Sequence, residues 1–149
     1  MKKLTVFLVT LLTLWGAVTS CSRRGELTAD YNVVPLPKLI EAVQGESFVL
    51  DPSTVIVYTP GDTALLSDAR LCAGYLSELT GINLPVQEGE PGKGRIALMA
   101  SLDNDNPEAY ELKVSDGGVT INGSTPAGTF YGIQTLRKSI PEAGENNIV

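Results

Sequence analysis

Carboxylates dominate the reactive side chains of this 149-residue chain, and two close pairs suit acid/base chemistry: Glu88 with Glu90, and Asp103 with Asp105. Two carboxylates catalyse proton transfer when a fold aims both into one cleft. Each pair here falls in a polar loop, where both members are solvated. The loop Glu88-Gly89-Glu90-Pro91-Gly92-Lys93-Gly94 is glycine-rich. It lacks the Gly-Lys-Ser/Thr ending of a phosphate loop, and no helix signal follows it. Asp103-Asn104-Asp105-Asn106-Pro107 has the opening rhythm of a calcium loop. Pro107 sits at the third ligand position and the required glycine is missing, so the run is a turn and no metal is expected. The chain has no histidine. That removes histidine triads, histidine-containing zinc sites and the commonest neutral-pH proton shuttle. Cys72 has no base to activate it, and its place in an apolar helical stripe makes it a core residue. No serine combination with lysine or aspartate rises above background. No residue is expected to be catalytic, and no cofactor is implied.

The one position with a chemical assignment is Cys21. Lys2 and Lys3 form a positive start, and residues 4–18 form an apolar stretch broken only by threonines and Gly16. A transmembrane helix needs roughly 20 apolar residues, and this run is shorter. It ends in Val18-Thr19-Ser20-Cys21, a match to the bacterial lipobox. Residues 1–20 are expected to be a lipoprotein signal peptide, with lipid attached at Cys21 and residues 21–31 acting as a tether. Several acyl chains on one residue anchor stably, so the expected partner is a membrane. Ser22-Arg23 lacks an aspartate after the cysteine, which points to the outer membrane of a bacterial cell envelope. Asn122-Gly123-Ser124 fits a glycosylation acceptor, but a bacterial lipobox leaves it idle. With Cys21 lipidated, Cys72 has no disulfide partner. Net charge is −6, or −8 without the two leader lysines. An acidic chain without a basic stripe is not a nucleic-acid binder.

The elements that would position any site follow from periodicity. Val33 to Pro37 is an extended edge segment, since two prolines deny it ladder donors. Ser47–Leu50 and Thr54–Tyr58 read as strands, and the unbroken Val55-Ile56-Val57 predicts a strand covered on both faces. Asp62 is the expected N-cap of a helix whose stripe is Leu65, Ala69, Cys72, Leu76 and Leu79, ending at Gly81 with Ile82 beyond. Asp68, Arg70 and Glu78 would form its solvated side. Leu84–Gln87 and Arg95–Ala100 are further strands. Tyr110, Leu112 and Val114 alternate with polar residues, and Val119 and Ile121 continue the apolar face after Asp116-Gly117-Gly118, which would supply the positive φ of a tight hairpin. Thr125-Pro126 opens a second helix as cap and first residue. Phe130, Ile133, Leu136 and Ile140 carry its apolar face, Gly128 and Gly132 leave a bare strip for close approach, and Pro141 stops it.

These elements sum to an α+β domain: a mainly antiparallel sheet with two helices packed on one face, without regular β-α-β alternation. Its expected bounds are residues 32–141. The polar loop 142–147 then leads to Ile148-Val149, an apolar pair that reads as the start of another strand. The domain shows no active site of its own.

The stretch PEAYELKVSDGGVTINGSTPAGTFYGIQTLRKSIP resembles the end of the small N-terminal domain of glycoside hydrolase family 20, the β-N-acetylhexosaminidases. The family pattern Y-x-L-x-V … G-V-x-I-x-G followed by G-x-F-Y-G-x-Q-T-L matches Tyr110, Leu112, Val114, Gly118, Val119, Ile121 and Gly123, then Gly128, Phe130, Tyr131, Gly132, Gln134, Thr135 and Leu136. Val34-Pro35-Leu36-Pro37 and Leu76 to Gly81 are similar to the family's opening strand and first helix. The resemblance implies removal of terminal N-acetylglucosamine or N-acetylgalactosamine by retaining hydrolysis, with the substrate's acetamido oxygen as nucleophile. It also implies an adjacent Asp-Glu pair on a (β/α)8 barrel that follows this domain, and a barrel needs about 250 residues. Residues 142–149 would then begin the connection to that barrel, with the domain's helix and glycine strip packed against it. The competing reading is a stand-alone envelope module that keeps the fold and binds a glycan or protein without catalysis.

Overall fold

The computed structural model describes residue 33, residues 36–41 and residues 47–140. The leader, Cys21, the tether, the stop at Pro141 and the connection 142–149 lie outside the described residues. Among the described residues seven elements follow in order: β1 (Val55–Tyr58), α1 (Thr63–Thr80), β2 (Val86–Glu88), β3 (Arg95–Met99), β4 (Tyr110–Ser115), β5 (Gly118–Gly123) and α2 (Pro126–Ser139).

The strands form one five-stranded sheet in the order β2-β1-β3-β5-β4. The α+β class holds, with a correction to the sheet. It is mixed: β1 pairs parallel with both β2 and β3, β3 pairs parallel with β5, and only β4–β5 is antiparallel. The reason is connectivity. Helix α1 carries the chain back along the sheet, so β2 re-enters beside β1 in the same direction. The loop 89–94 then returns the chain to the other side of β1, and the hairpin brings β5 back parallel to β3. The expected strand Ser47–Leu50 shrinks to an isolated bridge at Val49, although Phe48 and Leu50 alternate into the core as its pattern requires.

The register fixes which side chains meet. Ile56, Ile96, Val119 and Val114 lie across one row, and Tyr58, Leu98, Ile121 and Leu112 across the next, all on one face. Leu65, Ala69, Cys72 and Leu76 of α1 join them in a single core with Ile133 and Leu136 of α2. Both helices therefore cover the same face. On the other face Val57 and Ala97 are also buried, as expected for β1. An added Cβ at Gly89 would lie 3.2 Å from Val57 Cγ1, so the loop after β2 packs on that face.

Helix α1 begins and ends as its sequence signals dictate. Asp62 is extended, and its carboxylate accepts from the Ala64 and Leu65 amides at 3.0 Å each. Gly81 closes the helix in the left-handed region at φ 72°, donating its amide to Ser77 O at 2.9 Å. Helix α2 departs from expectation in two ways. Thr125 has N-cap backbone geometry but makes no side-chain cap; its hydroxyl donates to Pro107 O at 2.6 Å, tying the helix start to the preceding loop. Phe130 is only half-buried, and its ring meets the exposed Tyr131 edge-on at 5.8 Å. Ile133, Leu136 and Ile140 are buried as expected, with Gly128, Thr129 and Gly132 beside them.

The glycines work by close approach. Among the described residues positive φ occurs only at Gly61, Gly81 and Gly94, so the hairpin turns at Asp116-Gly117 without it. Gly118 is needed for space: a Cβ there would sit 2.7 Å from Arg95 O and 2.9 Å from Gly92 O. The strip on α2 is likewise occupied from within. A Cβ on Gly128 would strike the Ala109 carbonyl, and one on Gly132 the Ile121 side chain. The strip seats α2 on its own hairpin and is not free for a following domain.

Candidate functional site

The residues with catalytic promise lie apart. Glu88, at the end of the edge strand β2, accepts from the Gly61 amide at 3.1 Å, bridging two turns. Glu90 is exposed, and its backbone carbonyl accepts from Arg95 Nη1 at 2.8 Å. In the loop before β4, Asn104 and Asn106 accept from the Asn106 and Glu108 amides at 2.9 and 3.0 Å. Those bonds make the run a series of turns, with Asp103 and Asp105 exposed on it. Cys72 is buried between α1 and the sheet. Burial, and next the charge of Asp68, push its thiol up to about 12, so at neutral pH it is a protonated core residue and no nucleophile.

Two hollows remain. One, of about 590 Å3, lies at the start of β1 and β3 between Asp51, Ser53, Lys93, Arg95 and Asp116. Ser53 donates its hydroxyl and amide to Asp51 at 2.6 and 2.7 Å, which lowers the Asp51 carboxyl below its usual range. Those bonds turn the chain into β1. The other, of about 280 Å3, lies at the opposite end of the strands between α2 and β4, lined by Glu108, Tyr110, Tyr131, Gln134, Thr135 and Lys138 with Asn106. Within it the Tyr110 and Thr135 hydroxyls are 2.7 Å apart and share one hydrogen bond.

Each helix carries a polar group left unmatched. Among the described residues, two buried side-chain polar atoms have no hydrogen-bond partner: Asp68 Oδ2 on α1 and Gln134 Nε2 on α2. Asp68 was expected on a solvated face. It is half-buried instead, and burial, then the charge of Asp62, raises its carboxyl above the ordinary value. Nearby, the Arg137 guanidinium of α2 sits 4.2 Å from the centre of the Tyr75 ring of α1, a cation–π contact joining the helices. The geometry provides a covered core and, on the helices, one buried acceptor and one buried donor without partners. The hydroxyl–carboxylate contact of Ser53 with Asp51 lies in an exposed turn. Gln134 and Tyr131 lie inside the motif that carries the family resemblance, and that was their only signal in sequence. Asp68 gave none, since periodicity reports a helix face and not what crowds it.

Residues 30–149 match the family described as glycosyl hydrolase family 20, domain 2. A β-N-acetylhexosaminidase of Cellulomonas fimi is 31% identical over 122 residues, covering 80% of this chain and 24% of that protein. A β-hexosaminidase of Porphyromonas gingivalis is 31% identical over 141 residues, covering 88% of this chain and 18% of that protein. The chain thus spans a quarter or less of the curated relatives it matches. Among solved structures, the N-acetyl-β-hexosaminidase of Streptomyces plicatus superposes with a TM-score of 0.67 at 24% identity, over 85% of this chain and 26% of that one, a likeness of fold.

Proposed function

From the premise that this chain belongs to glycosyl hydrolase family 20, through the domain 2 that its residues 30–149 match, we propose that it is the N-terminal, non-catalytic portion of a β-N-acetylhexosaminidase. The observation that carries this reading is that two hexosaminidases from different bacteria are each 31% identical across most of this chain. The intact enzyme would remove terminal N-acetylglucosamine or N-acetylgalactosamine by the retaining, substrate-assisted route. Its nucleophile is the substrate's acetamido oxygen, and an adjacent Asp-Glu pair on a following barrel supplies orientation and acid/base catalysis. Residues 32–141 serve as the folded domain and residues 142–149 as the connection onward. No carboxylate of this chain takes part.

The test is to express the reading frame continued beyond Val149 beside the 149-residue chain. The longer polypeptide is expected to hydrolyse a chromogenic N-acetylglucosaminide and to lose activity when its adjacent Asp-Glu pair becomes Asn-Gln. The 149-residue chain alone should turn nothing over. Hydrolysis by the short chain that depends on Glu88 or Asp105 would overturn the proposal.

The same enzyme would be held in a bacterial envelope by lipid at Cys21 after removal of residues 1–20, with residues 21–31 as tether and the outer membrane as destination. Lys2-Lys3, the apolar stretch and Val18-Thr19-Ser20-Cys21 support this part of the reading. Incorporation of labelled palmitate that disappears in Cys21→Ala is the expected result; label retained in that variant would refute attachment at Cys21.

A further inference from the structure

We propose that residues 36–41 rest on the membrane that holds the anchor, with Leu36, Leu39 and Ile40 seated at the boundary between headgroups and acyl chains. The inference rests on lipid attachment at Cys21 and adds to it which part of the domain meets the bilayer.

Exposed apolar side chains scattered singly need no explanation, whereas a local group of them does. Among the described residues the two most exposed large apolar side chains are Leu39 at 74% and Leu36 at 70%, and Ile40 is 42% exposed. All three fall within five residues. The chain turns inward on either side of them, with Val33 buried before and Phe48 and Leu50 buried after. Residues 36–41 belong to no helix or strand, and Lys38 forms a bend among them. Pro37 has no amide to lend to a ladder, so the run is a poor template for a further strand. The segment is an apolar excursion of the chain away from its own core.

The occupant follows from the distance to the anchor. Leu36 comes fifteen residues after Cys21, a length that reaches no more than about 50 Å even fully extended. A lipid at Cys21 therefore keeps the segment close to the bilayer, at an effective concentration that makes a weak contact sufficient. The chemistry suits an interface. Three apolar side chains supply the buried area, and Lys38 between them can reach lipid phosphate while its stem lies along the acyl boundary. Glu41 ends the run with a charge that an anionic surface repels, on the side away from the anchor. Outside regular structure the amides and carbonyls of residues 36–41 need water. That holds the contact to the shallow level that interfacial segments occupy. A second copy of the chain and the continued polypeptide are the rival occupants, and the experiment separates them.

The single tryptophan of the 149-residue chain, Trp15, lies in the leader and leaves with it, so one introduced tryptophan reports alone. Leu39→Trp and Leu71→Trp are expressed with the leader. The matured lipoproteins are reconstituted in vesicles of phosphatidylcholine and phosphatidylglycerol, with and without brominated acyl chains. Leu71 of α1 is also apolar and 37% exposed, and a tryptophan there carries the same intrinsic preference for interfaces. A side chain seated roughly 5–10 Å into the boundary lies beside the brominated carbons, so Leu39→Trp emission should fall about twofold or more, with Leu71→Trp unchanged. Leu36→Ser added to Leu39→Trp should return most of the lost emission. Vesicle flotation with Leu39→Trp unquenched overturns the membrane contact and leaves the lipid anchor standing. Equal quenching at both positions shows no preferred face and also overturns the contact. A chain that neither takes up labelled palmitate nor floats with vesicles sinks attachment at Cys21, and this proposal with it. A blue shift of Leu39→Trp in detergent that grows with protein concentration assigns the segment to self-association. Leu39→Cys in a Cys21→Ser background, where the buried Cys72 stays silent, tests the other rival with a maleimide. Slower labelling in the continued polypeptide than in the 149-residue chain, both free of lipid, assigns the segment to an internal contact. Either assignment overturns the proposal.

Discussion

Gly74 and Gly128 both lie inside helices, and alanine at each is expected to move stability in opposite directions. Gly74 is exposed on α1, and an added Cβ would meet nothing within 4 Å. Gly74→Ala therefore removes only backbone freedom from the unfolded chain and should stabilise by about 0.5–1 kcal/mol. At Gly128 the same methyl runs into the Ala109 carbonyl, which is backbone and cannot rotate away. Gly128→Ala should cost about 1–3 kcal/mol, as overpacking of a close contact does. Urea denaturation of both variants checks the pair, and equal midpoints would refute the account of α2 packing. Asp68 gives a second residue-level expectation, in pH. Its folded-state pKa is raised above 3.8, so the native domain binds its proton more tightly than the unfolded chain does. Its favourable contribution is full below that value and is lost as pH rises through the raised one. Asp68→Asn keeps a neutral side chain at all pH. The melting temperature of the 149-residue variant should exceed that of the parent near neutral pH, and the gap should narrow below pH 3.8. A gap that widens on acidification would reverse the assignment.

The two helices begin with different chemistry, and a matched pair of substitutions separates them. Asp62 satisfies two orphan amides of α1, so Asp62→Ala should cost about 1 kcal/mol. Thr125 caps nothing; its hydroxyl holds Pro107 O at 2.6 Å. Thr125→Val should therefore loosen the loop before β4 more than the first turn of α2, seen as faster amide exchange at Glu108 and Ala109 while the α2 amides keep their protection. Faster exchange confined to α2 would show that Thr125 is a cap after all. The contrast also marks what the sequence made legible. The α1 cap, its stripe and its Gly81 stop are interactions within a few residues, so residue order alone predicts them. The β4–β5 hairpin is equally local, and its alternation matches the pairing of Tyr110 with Gly123 through Ser115 with Gly118. Gly118 is a required glycine for a different cause than the turn, because Arg95 O of β3 and Gly92 O of the loop before it reach it. Thr125 misled in the same way: its partner lies 18 residues back.

At the scale of the whole domain, the parallel pairings were the part that residue order could not show. An apolar run such as Ile96-Ala97-Leu98 fits either direction of neighbour, and only the return path through α1 decides it. The burial of Asp68 was hidden for a related reason, since periodicity along one helix does not report what packs on it. The resulting topology predicts a gradient of local stability. β3 and β5 are inner strands, each paired on both sides, and their Ile96, Leu98, Val119 and Ile121 are buried in the core under the helices. β2 has three residues, pairs only with β1, and its Gln87 and Glu88 are exposed. Opening β2 uncovers little apolar area, whereas opening β3 or β5 dismantles the core, so the two motions differ widely in free energy. In native-state hydrogen exchange the amides of Ile96, Leu98 and Ile121 should exchange only through global unfolding, with the full denaturant dependence. The amides of Gln87 and Glu88 should exchange through small local openings with almost none. Equal denaturant dependence in β2 and β3 would mean that the edge strand is bound into the core, and that the mixed sheet opens only as one unit.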